Sequence, residues 1–328
     1  MNKHHLFLSC DWGTSSFRLR LIHKTNFQII AEQSNANGNA KVFQQWQNEE
    51  NPTTFRLAFY QSFILQSIQQ FEQKTNLSLK EVPLIISGMA SSTIGMLELP
   101  YKKLPFSLSG SDLKIEKIAA STAFPYPTTL VSGVKSDTDV MRGEEIQLVG
   151  GAANTHIEKQ VFIIPGTHCK HIFTQFDQAI SFATYMTGEL FQLLSTQSIL
   201  TNSIEKSGDF TEKAHKKGFE KGLLDSLDNN PLNVFFRVRT NSLFEKCTKQ
   251  ENFYYLSGLL IGLELKELMP QKDLKVTLIS NDILTPQYFT ALNRLKIGKS
   301  LNVISVDKAI INGHYKILQH DYETKFLQ

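Results

Sequence analysis

Leu6-Phe7-Leu8-Ser9-Cys10-Asp11-Trp12-Gly13-Thr14-Ser15-Ser16-Phe17-Arg18-Leu19-Arg20-Leu21 is the stretch on which the fold turns. Leu6 to Cys10 is a short apolar run, the pattern of a buried strand. Trp12 to Ser16 supplies a Gly/Thr/Ser turn. Phe17, Leu19 and Leu21 then alternate with Arg18 and Arg20, the period of two expected of a half-buried strand. Phe27 to Ala31 reads as a third strand, so the chain opens as a β-meander.

The same pattern returns 153 positions later. Val161 to Ile164 is an apolar strand, Pro165-Gly166-Thr167 a turn, and Ile172 to Phe176 and Ile180 to Ala183 two more strands. Gly13-Thr14 and Gly166-Thr167 therefore hold equivalent places in two similar halves, which indicates an internal duplication. Between and after the meanders, helices are expected at 53–73, with Pro52-Thr53 as its start, and from Glu144 to Val149. Others are expected from Thr187, which can cap the helix over Leu190, Leu193 and Leu194, at Asn252–Leu268 and at Lys308–Leu318. Phe55, Phe59 and Phe63 read as core of the first of these. Buried strands are expected at Leu84–Ser87, Val131–Gly133, Val276–Ser280 and Val303–Val306. The polar stretch 203–248 shows a break at Asn229-Asn230-Pro231, and Gly218 and Gly222 read as points of close helix packing. Alternating strands and helices make the chain α/β, with domains expected at 1–155 and 156–328.

The bulk composition fits two cores. The chain has 328 residues, 41% of them hydrophobic and 20% charged, with a net charge of +3. Its basic residues are scattered without a block or stripe, which argues against a nucleic-acid partner. No run approaches the eighteen or so apolar residues of a membrane span, and Leu6–Leu8 is too short for a signal peptide. A cytoplasmic protein is the expectation. The three cysteines, Cys10, Cys169 and Cys247, are isolated, as in a reducing compartment. His168 and His171 flank Cys169, yet no ligand cluster accompanies them, so a metal is not expected there.

A hairpin tip of Gly, Thr and Ser presents backbone N–H groups and hydroxyls, a concave set of donors suited to anionic oxygens. Two such turns could clasp a polyphosphate. Asp11, just ahead of the first turn, repels phosphate but suits Mg²⁺, which takes carboxylate, water and phosphate oxygens together. The plainer alternative is that Asp11 and Thr14 only shape a hairpin. A further cluster, Asp139-Val140-Met141-Arg142-Gly143-Glu144-Glu145-Ile146-Gln147, gathers three acids and an arginine at a helix start. Phosphoryl transfer to a hydroxyl needs a carboxylate to orient the nucleophile and take its proton. Acids in a first helical turn also serve the helix dipole alone.

Taken together, these turns resemble those of the actin/hexokinase/heat-shock ATPase superfamily. Within it, the chain resembles the 2-dehydro-3-deoxygalactonokinase family. The resemblance rests on Asp11-Trp12-Gly13-Thr14-Ser15 with Arg18, Ser87-Gly88-Met89 through Gly95, and Pro100-Tyr101. It rests further on Val140-Met141-Arg142-Gly143-Glu144-Glu145 with Gln147, Pro165-Gly166-Thr167-His168-Cys169-Lys170, Met186-Thr187-Gly188-Glu189-Leu190 and Leu256 to Gly262.

That resemblance implies two ribonuclease-H-like domains, the actin-like ATPase fold, around a central cleft. It implies ATP-dependent phosphorylation of the 6-hydroxyl of 2-dehydro-3-deoxy-D-galactonate in galactonate catabolism, with ATP and Mg²⁺ as cofactors. Asp11, Gly13, Thr14 and Ser15 would form the first phosphate motif, with Asp11 at the metal, and Gly166 and Thr167 the second. Lys170 would carry charge near the transferring phosphate. Glu144 would be the base, with Asp139 and Glu145 as alternatives, and Arg142 would balance the substrate carboxylate or developing charge. Asn37, Gly38, Gly88, Met89, Ser91 and Ser92 would line the sugar-acid site. The adenosine motif would correspond to Ser280 and Asn281, where relatives usually carry small residues. Two other readings follow from the same fold: a kinase of another sugar or sugar acid, and a nucleotide-binding sensor without transfer.

Overall fold

The computed structural model describes residues 3–49, 55–152, 159–206, 209–271 and 273–326, with side chains to residue 320. It divides into two compact units. Unit 1 comprises Met1–His156, Asp177–Ser181 and Val306–Gln328; unit 2 comprises Ile157–Phe176 and Phe182–Ser305.

Unit 1 begins with β1 (Leu6–Trp12), β2 (Phe17–His23) and β3 (Ile29–Asn35), followed by α1 (Asn39–Gln47) and α2 (Arg56–Thr75). Then come β4 (Leu84–Gly88), β5 (Lys102–Lys103), β6 (Phe106–Ser107), β7 (Ile115–Ile118), β8 (Thr128–Val131), β9 (Val134–Lys135), β10 (Val140–Met141) and α3 (Glu144–Gly151). Its main sheet runs β3-β2-β1-β4-β8-β7. β1 pairs antiparallel with β2 and parallel with β4, so it is flanked on both sides and nearly every residue in it is buried. On α2 the core stripe is Tyr60, Ile64, Ile68 and Phe71, spaced for one helical face. The helix ends at Asn76 in the left-handed conformation, a common C-terminal stop. Its expected start at Pro52-Thr53 lies outside the described residues. Phe55 is not core: it precedes the first helical turn, off the buried stripe, and is 84% exposed. Phe59 and Phe63 are partly buried against the core. The strand expected at Val131–Gly133 forms at Thr128–Val131, where Thr128 and Thr129 are buried by pairing rather than by apolar character.

Unit 2 repeats the arrangement. β11 (Gln160–Ile164), β12 (Cys169–Gln175) and β13 (Gln178–Tyr185, its residues to Ser181 counted with unit 1) lead into α4 (Thr187–Gln197), α5 (Lys213–Asp228), α6 (Pro231–Leu243) and α7 (Lys249–Leu265). β14 (Lys275–Ser280), α8 (Thr285–Leu295) and β15 (Ser300–Ser305) complete it. The strand order β13-β12-β11-β14-β15 matches β3-β2-β1-β4-β8, with β14 and β15 parallel to β11. β12 and β13 meet at Phe176 and Asp177, both at positive φ, as a two-residue hairpin turn requires. The 203–248 stretch holds α5 and α6, whose break is set by Asn230 capping the Leu232 N–H and by Pro231 at the helix start. α7 starts with a capping box between Thr248 and Glu251 and is buried almost all round. Gly222 lets α5 approach α7: a Cβ there would stand 2.1 Å from the Tyr255 carbonyl oxygen.

Both units are thus ribonuclease-H-like α/β sheets, the topology of the actin-like ATPase fold. The expected boundary near residue 155 lies outside the described residues. The final helix, α9 (Val306–Phe326), belongs to unit 1 and not, as the sequence suggests, with residues 156–305. Its His314 bridges the hydroxyls of Ser9 on β1 and Ser87 on β4, at 2.7 and 2.9 Å, which ties it to that sheet. No helix among the described residues is long and apolar enough to cross a membrane.

Candidate active site

In unit 1 the turn between β1 and β2 closes through Gly13 N–H to Ser16 O, at 2.9 Å, and leaves Thr14, Ser15 and Ser16 exposed. The start of α1 braces it. Asn39 and Ala40 donate their backbone N–H groups to the carbonyls of Gly13 and Thr14, at 3.0 and 3.1 Å, and the Asn39 amide reaches Trp12 O and Gly13 O. Trp12 Nε1 donates to Asn37 O. Gly38 sits so close that a Cβ would stand 2.2 Å from Thr14 O. The structure thus puts Asn37 and Gly38 against the first turn, with their backbones committed to it.

Asp11 is half-buried at the end of β1, opposite Arg18 on β2 and Ser87 on β4. Burial raises its pKa; Arg18 and Arg20 oppose this, and the charges of Glu144 and Asp307 add to it. Both arginines hold other carboxylates. Arg18 donates to Asp307 at 2.8 Å; the buried Arg20 donates its Nε to Glu32 at 2.5 Å, and its Nη2 is ion-paired with Asp307 at 2.6 Å.

Alongside, β4 ends at Gly88 and turns through Met89–Ser91. Ser91 is buried, and its carbonyl and hydroxyl oxygens accept from Arg142 Nη1 at 2.7 and 2.6 Å. Ser92 donates its hydroxyl to Met89 O. The Arg142 guanidinium lies 4.2 Å from the centre of the Tyr101 ring, a cation–π contact. At the head of α3, Gly143 has φ 109°, a conformation that suits glycine. The three acids of the cluster part ways here. Asp139 sits in the turn before β10 and accepts from the Val140 N–H at 2.7 Å. Glu145 is fully buried, and both its oxygens face the Gly143 N–H, at 2.9 and 2.7 Å. Burial, and then the Glu144 charge, push its pKa up to about 8. Glu144 accepts from the Arg142 N–H at 3.0 Å and is the half-buried acid at the helix head.

In unit 2 the Pro165–His168 turn is built the same way. The Glu189 N–H donates to Thr167 O at 3.0 Å, as Ala40 does to Thr14, and a Cβ on Gly188 would stand 2.3 Å from Gly166 O, as at Gly38. The duplication therefore includes the helix that presses on each turn. Gly166 N–H faces Cys169 Sγ at 3.4 Å. Lys170 is buried at the start of β12, its ammonium 3.3 Å from His168 O. His168 is exposed and pairs with Glu189 at 2.6 Å, whereas His171 is buried.

Next to this turn lies a cavity of about 600 Å³ with mainly apolar walls, among them Phe191, Phe210, Phe253 and Tyr254. Asp282, Ile283 and Leu284 contribute to it, but Ser280 and Asn281 do not. The Asn281 side chain instead accepts from the N–H groups of Ile283 and Leu284, ahead of α8, and Ser280 is buried. The aromatic wall was not legible in the sequence, because its members come from α4, α7 and the segment before α5. Thr187 does not cap α4. It is the first helical residue, and its hydroxyl donates to Glu264 on α7.

A model of the 2-keto-3-deoxy-galactonokinase family matches residues 11–317. A Rhizobium meliloti (strain 1021) protein named as a probable 2-dehydro-3-deoxygalactonokinase is 29% identical over 312 residues, 92% of this chain and 92% of its own length. The 2-dehydro-3-deoxygalactonokinase of Escherichia coli (strain K12) is 30% identical over 241 residues, 71% of this chain and 77% of that protein. A crystal structure of a Sinorhizobium meliloti protein, provisionally given the same name, superposes with a TM-score of 0.76 at 26% identity, covering 95% of this chain and 96% of that one.

Proposed function

The chain belongs to the 2-keto-3-deoxy-galactonokinase family, and on that premise we propose that it transfers the terminal phosphoryl group of ATP to the 6-hydroxyl of 2-dehydro-3-deoxy-D-galactonate. The observation that carries this reading is the doubled glycine–threonine turn, each copy pinned by a helix-start glycine, within the matched residues. The cavity of unit 2 takes the adenosine, with Asp282 to Leu284 in its wall and Ser280 and Asn281 shaping that wall from behind. The Gly166–Thr167 turn, and Gly13, Thr14 and Ser15 in unit 1, offer N–H groups and hydroxyls to the phosphates. Lys170 adds positive charge beside the second turn.

Asp11 fits a divalent cation. Its carboxylate is half-buried at a strand end; burial first, and then the charges of Glu144 and Asp307, raise its pKa against the pull of Arg18 and Arg20, and a divalent cation would favour the ionised form. Mg²⁺ bound there supplies charge neutralisation to the phosphates. Glu144 orients the 6-hydroxyl and takes its proton as the new O–P bond forms and the bond to ADP breaks. Asp139 and Glu145 are poorer bases, since one is held in its own turn and the other is buried and largely protonated near neutral pH. Arg142, fixed by Ser91 and Tyr101, balances the substrate carboxylate or the charge that develops. Gly88, Met89 and Ser92, with Asn37 and Gly38 nearby, frame the sugar acid. A kinase of a catabolic sugar acid works where ATP is made available, in the cytoplasm.

An ADP-release assay over a panel of 2-keto-3-deoxy and aldonic acids tests the substrate. Turnover with the galactonate-derived acid is expected; turnover confined to a gluconate-derived acid would reassign it. Glu144→Gln should cut kcat by about 10² while ATP binding persists. Full activity in that variant, with loss in Asp139→Asn, would move the base to Asp139.

A further inference from the structure

Glu264 lies inside unit 2, 2% exposed, on a helix that no step of the chemistry uses. Three side chains from three other elements donate to it: Thr187 at the head of α4, Tyr288 on α8 at 2.7 Å, and His171 on β12 at 3.0 Å. The other nitrogen of His171, Nδ1, has no partner among the described residues, so the ring proton belongs on Nε2, facing the carboxylate. Tyr288 spends its proton on Glu264, which leaves its oxygen to accept from the Cys169 thiol at 3.2 Å. That thiol can also face Gly166 O, and in either case its sulfur accepts the Gly166 N–H at 3.4 Å.

Two routes therefore lead from one carboxylate to the two sides of the Gly166–Thr167 turn. Through Thr187, Glu264 holds the start of α4, whose Glu189 N–H binds Thr167 O and whose Gly188 packs on Gly166. Through Tyr288 and Cys169 it reaches Gly166 itself. Thr187, Cys169 and Tyr288 also line the cavity beside the turn. We infer that Glu264 is a positioning residue for the nucleotide, a buried acceptor that fixes the angle at which the second turn presents its N–H groups to phosphate. This rests on the reading of that turn and cavity as the ATP site.

Direction and specificity follow from the chemistry. A carboxylate can only accept, so it forces Thr187 and Tyr288 both to donate and leaves each with one orientation. Removing one donor leaves a buried acceptor short of a partner and frees one flank of the turn. The acceptor of the sugar acid, in unit 1, has no part in the network.

The test is steady-state kinetics on the full chain, varying ATP and the sugar acid separately, with calorimetric titration of ATP and thermal melts alongside. Thr187→Val and Tyr288→Phe each remove one hydroxyl and keep the volume. Each is expected to raise the KM for ATP about tenfold, with the KM for the sugar acid within twofold of wild type. Thr187→Ser, which keeps the hydroxyl, should recover most of the loss. Glu264→Gln should resemble the single hydroxyl variants; if it does not fold, those two decide the matter. The inference is overturned if folded Thr187→Val and Tyr288→Phe keep wild-type KM for ATP. It is equally overturned if both KM values, kcat and melting temperature shift together, as a purely structural role predicts. Wild-type protein that fails to bind ATP at all would remove the nucleotide reading and this inference with it, a result distinct from unchanged variants of a wild type that binds.

Discussion

Glu145 and His314 are buried titratable groups of unit 1 with opposite consequences for pH. The Glu145 carboxyl, pushed up to about 8, holds its proton more tightly folded than unfolded. Its contribution is present at low pH and is lost as pH rises toward 8. His314, between Ser9 and Ser87, is pushed down to about 3 by burial and then by Arg20. The unfolded chain takes up that proton first, so stability falls as pH drops below about 6.5, by up to about 1.4 kcal/mol per pH unit. Thermal melts from pH 5 to pH 8 should show Glu145→Gln gaining on wild type as pH rises, by about 3.5 kcal/mol across the range. His314→Asn should lose less stability than wild type between pH 7 and pH 5. Parallel pH curves for wild type and either variant would refute the corresponding burial argument. None of this was legible in the sequence. The string Arg142-Gly143-Glu144-Glu145 marks two adjacent acids, but only the folded helix start turns one back, buried, onto the Gly143 N–H and leaves the other half-buried on the Arg142 N–H.

At the level of elements, the position of Glu144 depends on how α3 meets α9. A Cβ on Gly150 would stand 1.8 Å from Ala309 O, and one on Gly313 would stand 2.2 Å from Ile146 O, so the two backbones touch. Lys316 then closes the end of α3 by donating to the carbonyls of Val149 and Ala152, at 2.8 and 2.9 Å. Gly313→Ala must push the helices apart, and we expect a loss of about 2 kcal/mol in stability by denaturant titration. A fall in kcat without a change in ATP affinity should accompany it, because α3 carries Glu144, the proposed base, whereas the proposed adenosine cavity lies in unit 2. Unchanged stability would mean that the contact yields more easily than its geometry implies. Strands 1, 4, 11 and 14 were readable as short continuous apolar runs, strand 2 by its period of two after a Gly/Thr/Ser turn, and strands 12 and 13 by their place in the repeated meander. α1, α5, α6 and α8 were not, since their buried faces are short or mixed with polar residues. The helix glycines in contact with another backbone carry no local pattern; Gly218 and Gly222 stood out by their spacing, Gly150 and Gly313 did not.

For the molecule as a whole, the proposed division of labour between two units gives a prediction that needs no mutation. In hydrogen-exchange measurements, ATP should slow exchange in unit 2, around Gly166–Thr167, the start of α4 and the cavity wall, and in unit 1 only at the Gly13–Ser15 turn. The sugar acid should slow it in unit 1, around Gly88–Ser92 and the head of α3. Protection by both ligands confined to one unit would overturn the assignment of the sites. The sequence by itself determined the duplicated meander, the two glycine–threonine turns and the acid-rich helix start, because each is encoded within a few neighbouring residues whose spacing fixes strand, turn or helix. Only the tertiary structure decided that the last helix returns to unit 1, which of three acids is buried, and that Glu264 stands beneath the second turn. Those outcomes depend on groups distant in sequence competing for the same buried space and the same few hydrogen bonds, and that competition leaves no local pattern to read.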